Sequence, residues 1–469
     1  MFVDRARELA ALEAAFASDQ AELYVLYGRR RVGKTELLRR FCEGKRHIFF
    51  IADLGTETSG LADFTRQVSL AVFGRPDAIG PFPSWDSALE FVAQQAQNER
   101  LVVVIDEFTY LSQVNPAIPS IVQRLWDAKL QRTRVVLVLC GSYVGMMEKQ
   151  VLGYRAPLYG RRTGQWQLQP LAFADVGEFF PDYSPADRVR TYAVLGGIPA
   201  YLRQFDPKRS LLHNVEHRLL TTGTYLHEEP RLLLLQELTE PGRYFAILEA
   251  IANKRTRPNE IAQTVGLPAP SLPFYLGTLR ELGLVERRVR VTELHAERSK
   301  RGSYRIADNF FRFWFHYVYP NRSLLGRGEV APARKHVEST LDEFVGPAFE
   351  DICREHIWRL SREGKLGFTP RAVGSWWADD GADELDIVAL GEKEAVLGEC
   401  KWSGRPVGTD VLDALIEKAG VFKRDEGVRW LELDRVHYAL FSRSGFTPEL
   451  LARAEAESVL ACDLAELSR

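Results

Sequence analysis

Cysteine is scarce in this chain and scattered. The 5 cysteines in 469 residues are Cys42, Cys140, Cys353, Cys400 and Cys462. No two form a Cys-x-x-Cys pair, so neither a zinc site nor a disulfide framework is indicated, and a reducing cytoplasm is expected. Long apolar runs are missing too. The longest, near residues 101–105 and 135–140, fall far short of the roughly 20 residues a membrane span requires, so no membrane partner is expected. The opening residues carry Asp4 and Arg5 where a signal peptide would place an apolar segment. Neither sign of charge dominates: 61 Lys+Arg against 63 Asp+Glu leave a net charge of −2, and the surface as a whole does not advertise a polyanion. No His-Glu-x-x-His, Ser–His–Asp or Cys–His arrangement is visible. His213 and His217 stand four apart without a third ligand and read as a solvated or core pair. Repeats and low-complexity tracts are also lacking. What remains is an ordinary globular composition, long enough for about two to four domains.

Against that background, residues 28–35 stand out: Gly28-Arg29-Arg30-Arg31-Val32-Gly33-Lys34-Thr35 matches the G-x-x-x-x-G-K-[ST] phosphate loop in full. The preceding run Glu22–Tyr27 suits a buried strand, and Thr35–Phe41 suits a helix. Glycine lets the backbone curl so that its N–H groups face phosphate. Lys34 reaches the β- and γ-phosphates, Thr35 offers a hydroxyl to Mg²⁺, and the helix amino terminus favours an anion. Arg29, Arg30, Arg31 and Val32 fill the variable positions of this ATP cradle without a separate role.

The run Leu101–Ile105 reads as a central parallel strand buried on both faces. It ends in Asp106-Glu107, where open α/β sheets bind their ligands. Asp106 is expected to hold Mg²⁺ and Glu107 to polarise the attacking water. A third buried run, Val135–Cys140, ends at Gly141-Ser142. Ser142 either senses the γ-phosphate or is a simple turn serine. Arg161, before the β-like stretch Gly164–Leu168, either reaches a γ-phosphate, in cis or from a neighbouring subunit, or sits in a solvated basic turn. Gly196-Gly197-Ile198-Pro199 stops a helix over Ala186–Leu195.

Together, Phe2–Leu9, the phosphate loop, Ile105-Asp106-Glu107-Phe108, Cys140-Gly141-Ser142 and Gly196–Pro199 resemble the prokaryotic archaeal ATPase family, which is similar to the signal-transduction ATPases of the AAA+ class. Ala6 stands where the family commonly has Glu or Lys. The resemblance implies ATP hydrolysis, Ser142 as the sensor and Gly196–Pro199 in a helical lid.

Residues 240–306 carry 12 Lys+Arg against 7 Asp+Glu, a local excess of positive charge in a slightly acidic chain. Helix-compatible Tyr244–Ile251, a short helix from Asn259 ending at Gly266, a helix from Ser271 to Gly283, and an alternating run Leu284–Val291 with Ser303–Ile306 as hairpin partner give the winged-helix order. Arg280, Arg287, Arg288 and Arg290 are the expected DNA contacts. Packing or dimerisation is the competing role, and Pro268, Pro270 and Pro273 crowd the start of the second helix. The aromatic run Asn309–Phe315 reads as core.

Two β-like segments follow, Glu384–Leu390 and Glu394–Trp402, joined by Gly391-Glu392-Lys393. Glu399 and Lys401 lie two apart and share a face, and Asp386 on the adjoining strand can meet them. Two carboxylates and a lysine can hold a divalent cation and set a water against a phosphodiester. Glu350, on a helix over Leu341–Leu360, could add a ligand, and Lys418, on a helix over Val411–Val421, could face phosphate. An ordinary hairpin with a surface Glu–Lys pair is the alternative. The layout resembles the PD-(D/E)xK restriction-endonuclease-like fold, a domain type that occurs fused to archaeal ATPases.

The expectation is an α/β protein: a P-loop AAA+-like core over residues 1–170, a helical lid over 171–235, a winged helix over 236–320 and a nuclease-like domain over 335–469. Its expected activity is an ATP-binding and hydrolysing switch coupled to a Mg²⁺-dependent nuclease domain in DNA processing or defence. The alternative is a non-catalytic, ATP-gated DNA- or protein-binding regulator with an inactive nuclease fold. A homo-oligomer is left open.

Overall fold

Three apolar runs without polar interruption suit strands covered on both faces, and the computed structural model places them side by side. It describes residues 2–142, 144–293, 295, 299, 302–425 and 427–468. The chain divides into two compact units, Met1–Leu171 with Ile198–Ala200, and Ala172–Gly197 with Tyr201–Arg469.

In the first unit, strands β1 (Glu22–Tyr27), β2 (His47–Ile51), β3 (Leu101–Asp106), β4 (Val135–Gly141) and β5 (Gly164–Gln167) form one sheet in the order β2-β3-β4-β1-β5. Every pairing is parallel. Residues 101–106 and 135–141 are buried throughout, which explains why the sequence shows no alternation there. β2 was not foreseen, because a five-residue strand with intermediate and exposed positions carries little periodic signal. Around the sheet lie α1 (Ala6–Ala17), α2 (Lys34–Cys42), α3 (Phe108–Val114) and α4 (Ile118–Ala128). Two more helices, Glu57–Phe73 and Trp85–Gln95, pack beside them, and the apolar faces close a core that includes Phe64, Val68, Trp85 and Leu125.

The second unit opens with a short helix, Phe173–Phe179, and then α5 (Pro185–Leu195), whose end is set by Gly196 at φ 66°. After further helical segments that include Leu211–Val215 and Tyr225–Glu237 come α6 (Pro241–Ala252), α7 (Pro258–Val265) and α8 (Leu272–Glu281), then an antiparallel pair, β6 (Val285–Arg288) with β7 (Ser303–Ile306). The prolines that crowd the start of α8 are accommodated: Pro270 sits in a short 3₁₀ turn and Pro273 in the first turn of the helix, where no intrahelical N–H bond is lost. β6 stops three residues before the end of the alternating run.

The long helix α9 (Val330–Arg362) starts well before Leu341. Five strands follow: β8 (Ala372–Trp377), β9 (Glu384–Leu390), β10 (Glu394–Lys401), β11 (Arg435–Ser442) and β12 (Leu460–Asp463). They form a mixed sheet in the order β12-β11-β10-β9-β8. The β8–β9 and β9–β10 pairs are antiparallel, whereas β10–β11 and β11–β12 are parallel. The β10-to-β11 crossover contains α10 (Thr409–Arg424), as a parallel connection requires. Leu397, Leu412, Leu415, Phe422 and Leu440 form its core. All five cysteines are free, and among the described residues no helix is long and apolar enough to cross a membrane.

Asp342 of α9 gathers three partners. Arg190 of α5 donates to it at 2.8 Å, Arg443 at 2.6 Å and the Trp402 indole at 3.2 Å. These donors hold Asp342 down at about 2 although partial burial opposes them. Further along α9, burial and the nearby Arg359 charge lower His356 to about 4. A histidine kept neutral by the fold binds a proton more readily once the chain unfolds, so its contribution to stability is lost as pH falls from about 6.5 towards 4. Wild-type denaturation midpoints are expected to drop over that range. His356→Gln is expected to flatten the drop, and equal pH profiles for the two proteins would refute the assignment.

Candidate functional site

The phosphate loop leaves the carboxyl end of β1 and enters α2. Gly28 has φ 151°, and a Cβ there would run into the Leu168 carbonyl oxygen, so the close backbone approach requires glycine. The Lys34 ammonium is buried and donates to the Gly28 and Arg29 carbonyls at 2.9 Å each. Arg5, given no role at the site from the sequence, braces the loop from behind. Its buried guanidinium donates to the Val32 carbonyl at 3.2 Å and to Gln169 at 2.9 Å. Arg30 hydrogen-bonds the Tyr110 hydroxyl and lies over its ring.

The acidic strand end meets the loop directly. Asp106 accepts the Thr35 hydroxyl proton at 2.6 Å through one oxygen and its neighbour's backbone N–H at 2.9 Å through the other. Glu107 adopts the left-handed conformation, φ 52° and ψ 42°, and starts α3, a backbone strain that clusters at functional sites. Its Oε1 accepts from the Ser142 hydroxyl at 2.6 Å, and its buried Oε2 has no hydrogen-bond partner among the described residues. Thr35, Asp106, Glu107 and Ser142 are therefore brought together from three strand ends. A hydroxyl beside a carboxylate at the phosphate loop is a donor set that suits Mg²⁺.

Arg161 lies elsewhere. Thr163 donates its N–H to the Leu23 carbonyl at 2.9 Å, which fixes this segment at the start of β1. The loop departs from the far end, roughly 15 Å away at the usual strand rise. The guanidinium is taken by Asp127 through two contacts of 2.8 Å. A cis γ-phosphate role for Arg161 is corrected on that ground.

The winged-helix arginines also divide. Arg280 is exposed on α8, and Arg287 donates to the Ser299 carbonyl. Arg288 turns to the C-terminal sheet, with Ser375 Oγ at 3.0 Å and Glu384 at 3.6 Å. Arg290 is buried. It pairs with Asp379 and, at 3.5 Å, with Asp425, beside the Trp376 and Trp377 rings. The N–H of Val291 then donates to Ser375 at 3.0 Å. The alternating run leaves its hairpin after Arg288 to dock on β8, so the expectation that Arg288 and Arg290 face DNA is corrected: their charges are satisfied within the chain.

At the C-terminal sheet, Gly398 pairs with Ile387, and the next step of the antiparallel register sets Glu399 opposite Asp386. Asp386 accepts the Cys400 N–H at 2.8 Å. Burial, with the Glu399 and Glu350 charges nearby, pushes it up to about 7. Glu399 is clamped by two ammonium groups, Lys401 at 2.7 Å and Lys418 at 2.9 Å. Burial works against the Lys401 charge, but its bond to Glu399 prevails and raises it. Glu350 is raised by burial and bonded to Arg354 at 2.8 Å. Among the described residues no three Asp, Glu, His or Cys side chains are arranged to hold a metal ion. The expectation of a cation site from Glu350, Asp386 and Glu399 is corrected accordingly: Glu350 and Glu399 are tied to Arg354, Lys401 and Lys418 of the chain itself, and Asp386 accepts a backbone N–H.

Comparison with known proteins gives three family matches along the chain. Residues 2–205 match the model described as an ATPase domain predominantly from Archaea. Residues 242–289 match an IclR helix-turn-helix domain, and residues 314–410 match archaeal and bacterial proteins of unknown function. An uncharacterized protein of Methanocaldococcus jannaschii, MJECL04, is 34% identical over 404 residues, covering 86% of this chain and 88% of its own length. An uncharacterized ATP-binding protein of the same organism, MJ0423, is 52% identical over 46 residues, which cover 10% of this chain and 78% of that protein. The Walker-type ATPase PABY2304 of Pyrococcus abyssi superposes with a TM-score of 0.51 at 22% identity, over 67% of this chain and 96% of its own, a likeness of fold.

Arg290→Ala removes the cation paired with Asp425, whose carboxylate keeps, among the described residues, the Trp376 indole at 3.1 Å and the Gly427 N–H at 2.7 Å. Breaking a buried pair in this way is expected to lower stability by about 3 kcal/mol, read from urea denaturation. A loss below about 1 kcal/mol, the scale of an exposed pair, would mean that Arg290 is not structural.

Proposed function

The chain belongs to the family of ATPase domains found predominantly in Archaea, and from that premise we propose that it binds and hydrolyses ATP at Gly28–Thr35 and uses nucleotide state to control nucleic acid held by its second unit. The observation that carries the reading is the 2.6 Å contact of Thr35 with Asp106, with the Glu107–Ser142 pair alongside. Thr35 and Asp106 would hold Mg²⁺, which supplies neutralisation of phosphate charge when bound. The amides of Arg29, Arg30, Arg31, Val32 and Gly33 cradle the phosphates, and Lys34 exchanges its loop carbonyls for phosphate oxygens. Glu107 orients and polarises the attacking water through its Oε2, the oxygen without a hydrogen-bond partner among the described residues. Ser142 reports the γ-phosphate by trading its bond to Glu107 for one to the nucleotide. Arg161, remote from the loop in its own chain, is left the role of a residue donated to a neighbouring subunit.

The helix-turn-helix supplies DNA binding, and the Asp386–Glu399–Lys401 face handles a phosphodiester in the manner of a Mg²⁺-dependent nuclease. Asp386 and Glu399 would hold that cation once Lys401 and Lys418 release Glu399. The double lysine clamp also favours a second reading, in which the C-terminal domain is a non-catalytic, ATP-gated regulator.

Lys34→Ala is expected to abolish binding of a fluorescent ATP analogue. Glu107→Gln is expected to keep that binding while hydrolysis falls by on the order of a hundredfold or more; undiminished turnover would remove Glu107 from the mechanism. With Mg²⁺ or Mn²⁺, cleavage of DNA that disappears in Lys401→Ala supports the nuclease. Intact ATPase activity with no cleavage of single- or double-stranded DNA supports the regulator.

A further inference from the structure

The docking of Arg290 and Val291 on the C-terminal sheet creates a cleft of about 1140 Å³. One side is the helix-turn-helix: Arg257 before α7, and Gly277 and Arg280 on α8. The wing adds Arg287 and Tyr304, and Trp377 stands on the side of the C-terminal sheet. Among the described residues four arginines line the cleft, counting Arg290, against Glu260 and Asp379. Glu260 is occupied by the backbone N–H groups of Thr256 and Arg257 at 3.2 Å each, and Asp379 by Arg290. The balance is cationic, with two aromatic rings in the wall.

We propose that this cleft is a channel for a single-stranded polynucleotide, leading from the helix-turn-helix to Asp386 and Glu399. The proposal rests on the reading that the second unit engages nucleic acid, and it specifies the form. A duplex takes a recognition helix into a groove about 12 Å wide, with both phosphate backbones clearing the protein. Here the residues across from Gly277 and Arg280 belong to the same chain, held in place by the Arg290 ion pairs. A cavity of this size admits a strand with its bases splayed. Cations that follow the backbone, with aromatic rings beside them, are what single-strand binding uses.

Direction comes from the register. Trp377 pairs with Glu384 across β8 and β9, and Asp386 lies two residues further on the same face of β9. Arg288 fills the interval, bonded to Ser375 on β8 and paired with Glu384 on β9. A strand lying along Arg280, Arg287 and Trp377 is thus led past Arg288 to the carboxylates. Arg257, Arg280 and Trp377 are binding residues of this channel, and Arg288, tied to Ser375 and Glu384, fastens the wing to β8 and β9 beside it.

The test is fluorescence anisotropy with the full chain and three labelled probes of matched sequence: a single-stranded DNA, a single-stranded RNA and a closed DNA hairpin. Single strands are expected to bind at least about tenfold tighter than the hairpin, and the two single-stranded probes separate DNA from RNA. Arg257→Glu with Arg280→Glu is expected to weaken single-strand binding at least about tenfold and to flatten its salt dependence. Trp377→Leu is expected to cost about fivefold or more, the scale of one lost base stack. Lys208→Glu, on an exposed turn outside the cleft, is expected to change neither. Thermal midpoints verify that each variant is folded. A preference for the hairpin that depends on Arg280 would overturn the channel and leave nucleic-acid binding standing. Single-strand binding indifferent to all three cleft substitutions would overturn it as well. No binding of any probe would overturn both the channel and the reading beneath it.

Discussion

A parallel sheet covered on both faces has only its strand ends to offer to water, and the chemistry of the first unit follows from that constraint. Polar side chains within β1, β3 or β4 would be desolvated without partners. They appear where the strands stop, as the phosphate loop after Tyr27, Asp106-Glu107 after Ile105 and Ser142 after Gly141. The parallel register brings these stops to one edge. Each polar group there is tied to another: Thr35 to Asp106, Ser142 to Glu107, Lys34 to the loop carbonyls. Glu107 is the exception, with a strained backbone and one oxygen unmatched. Strain and an unmatched charge in one residue mark where the site is poised rather than at rest.

The same cost of desolvation shapes the second sheet. The Glu399 and Glu350 charges stand close enough to penalise that of Asp386, and Lys401, Lys418 and Arg354 answer them. The result is a neutralised cluster. A phosphodiester or a cation entering it competes with ammonium groups already in place, so activity there, if the face is catalytic, is conditional on a rearrangement of Lys401 and Lys418.

Local sequence carried the elements whose signal is local. The phosphate loop, the acidic strand end, the helix-turn-helix and the β9–β10 hairpin all follow from patterns that are contiguous along the chain, and the family resemblance ordered them. Side chains whose partners are remote were misjudged. Arg290 reads as one more exposed arginine of a wing, yet its partner Asp425 is 135 positions away. Arg161 looks poised for phosphate until Asp127 of α4 takes it. Strands β2, β8, β11 and β12 also escaped notice, being short or of mixed burial, with pairings set by the sheet rather than by their own composition. The start of α9 was missed for the same reason: its first turns bury only Ala333 and Val337, too few to trace an apolar stripe.

Trp402 follows Lys401 directly, and its indole lies within reach of two guanidiniums, Arg190 of α5 and Arg443 after β11, while Asp342 binds all three. α5 ends at the Gly196-Gly197 stop, so one short helix joins that stop to the peptide beside the lysine clamp. Such a knot ties the two ends of the unit by side chains alone: a rotation of α5 would either take Arg190 away from Asp342 and the indole or carry them, and the peptide after Lys401, along with it.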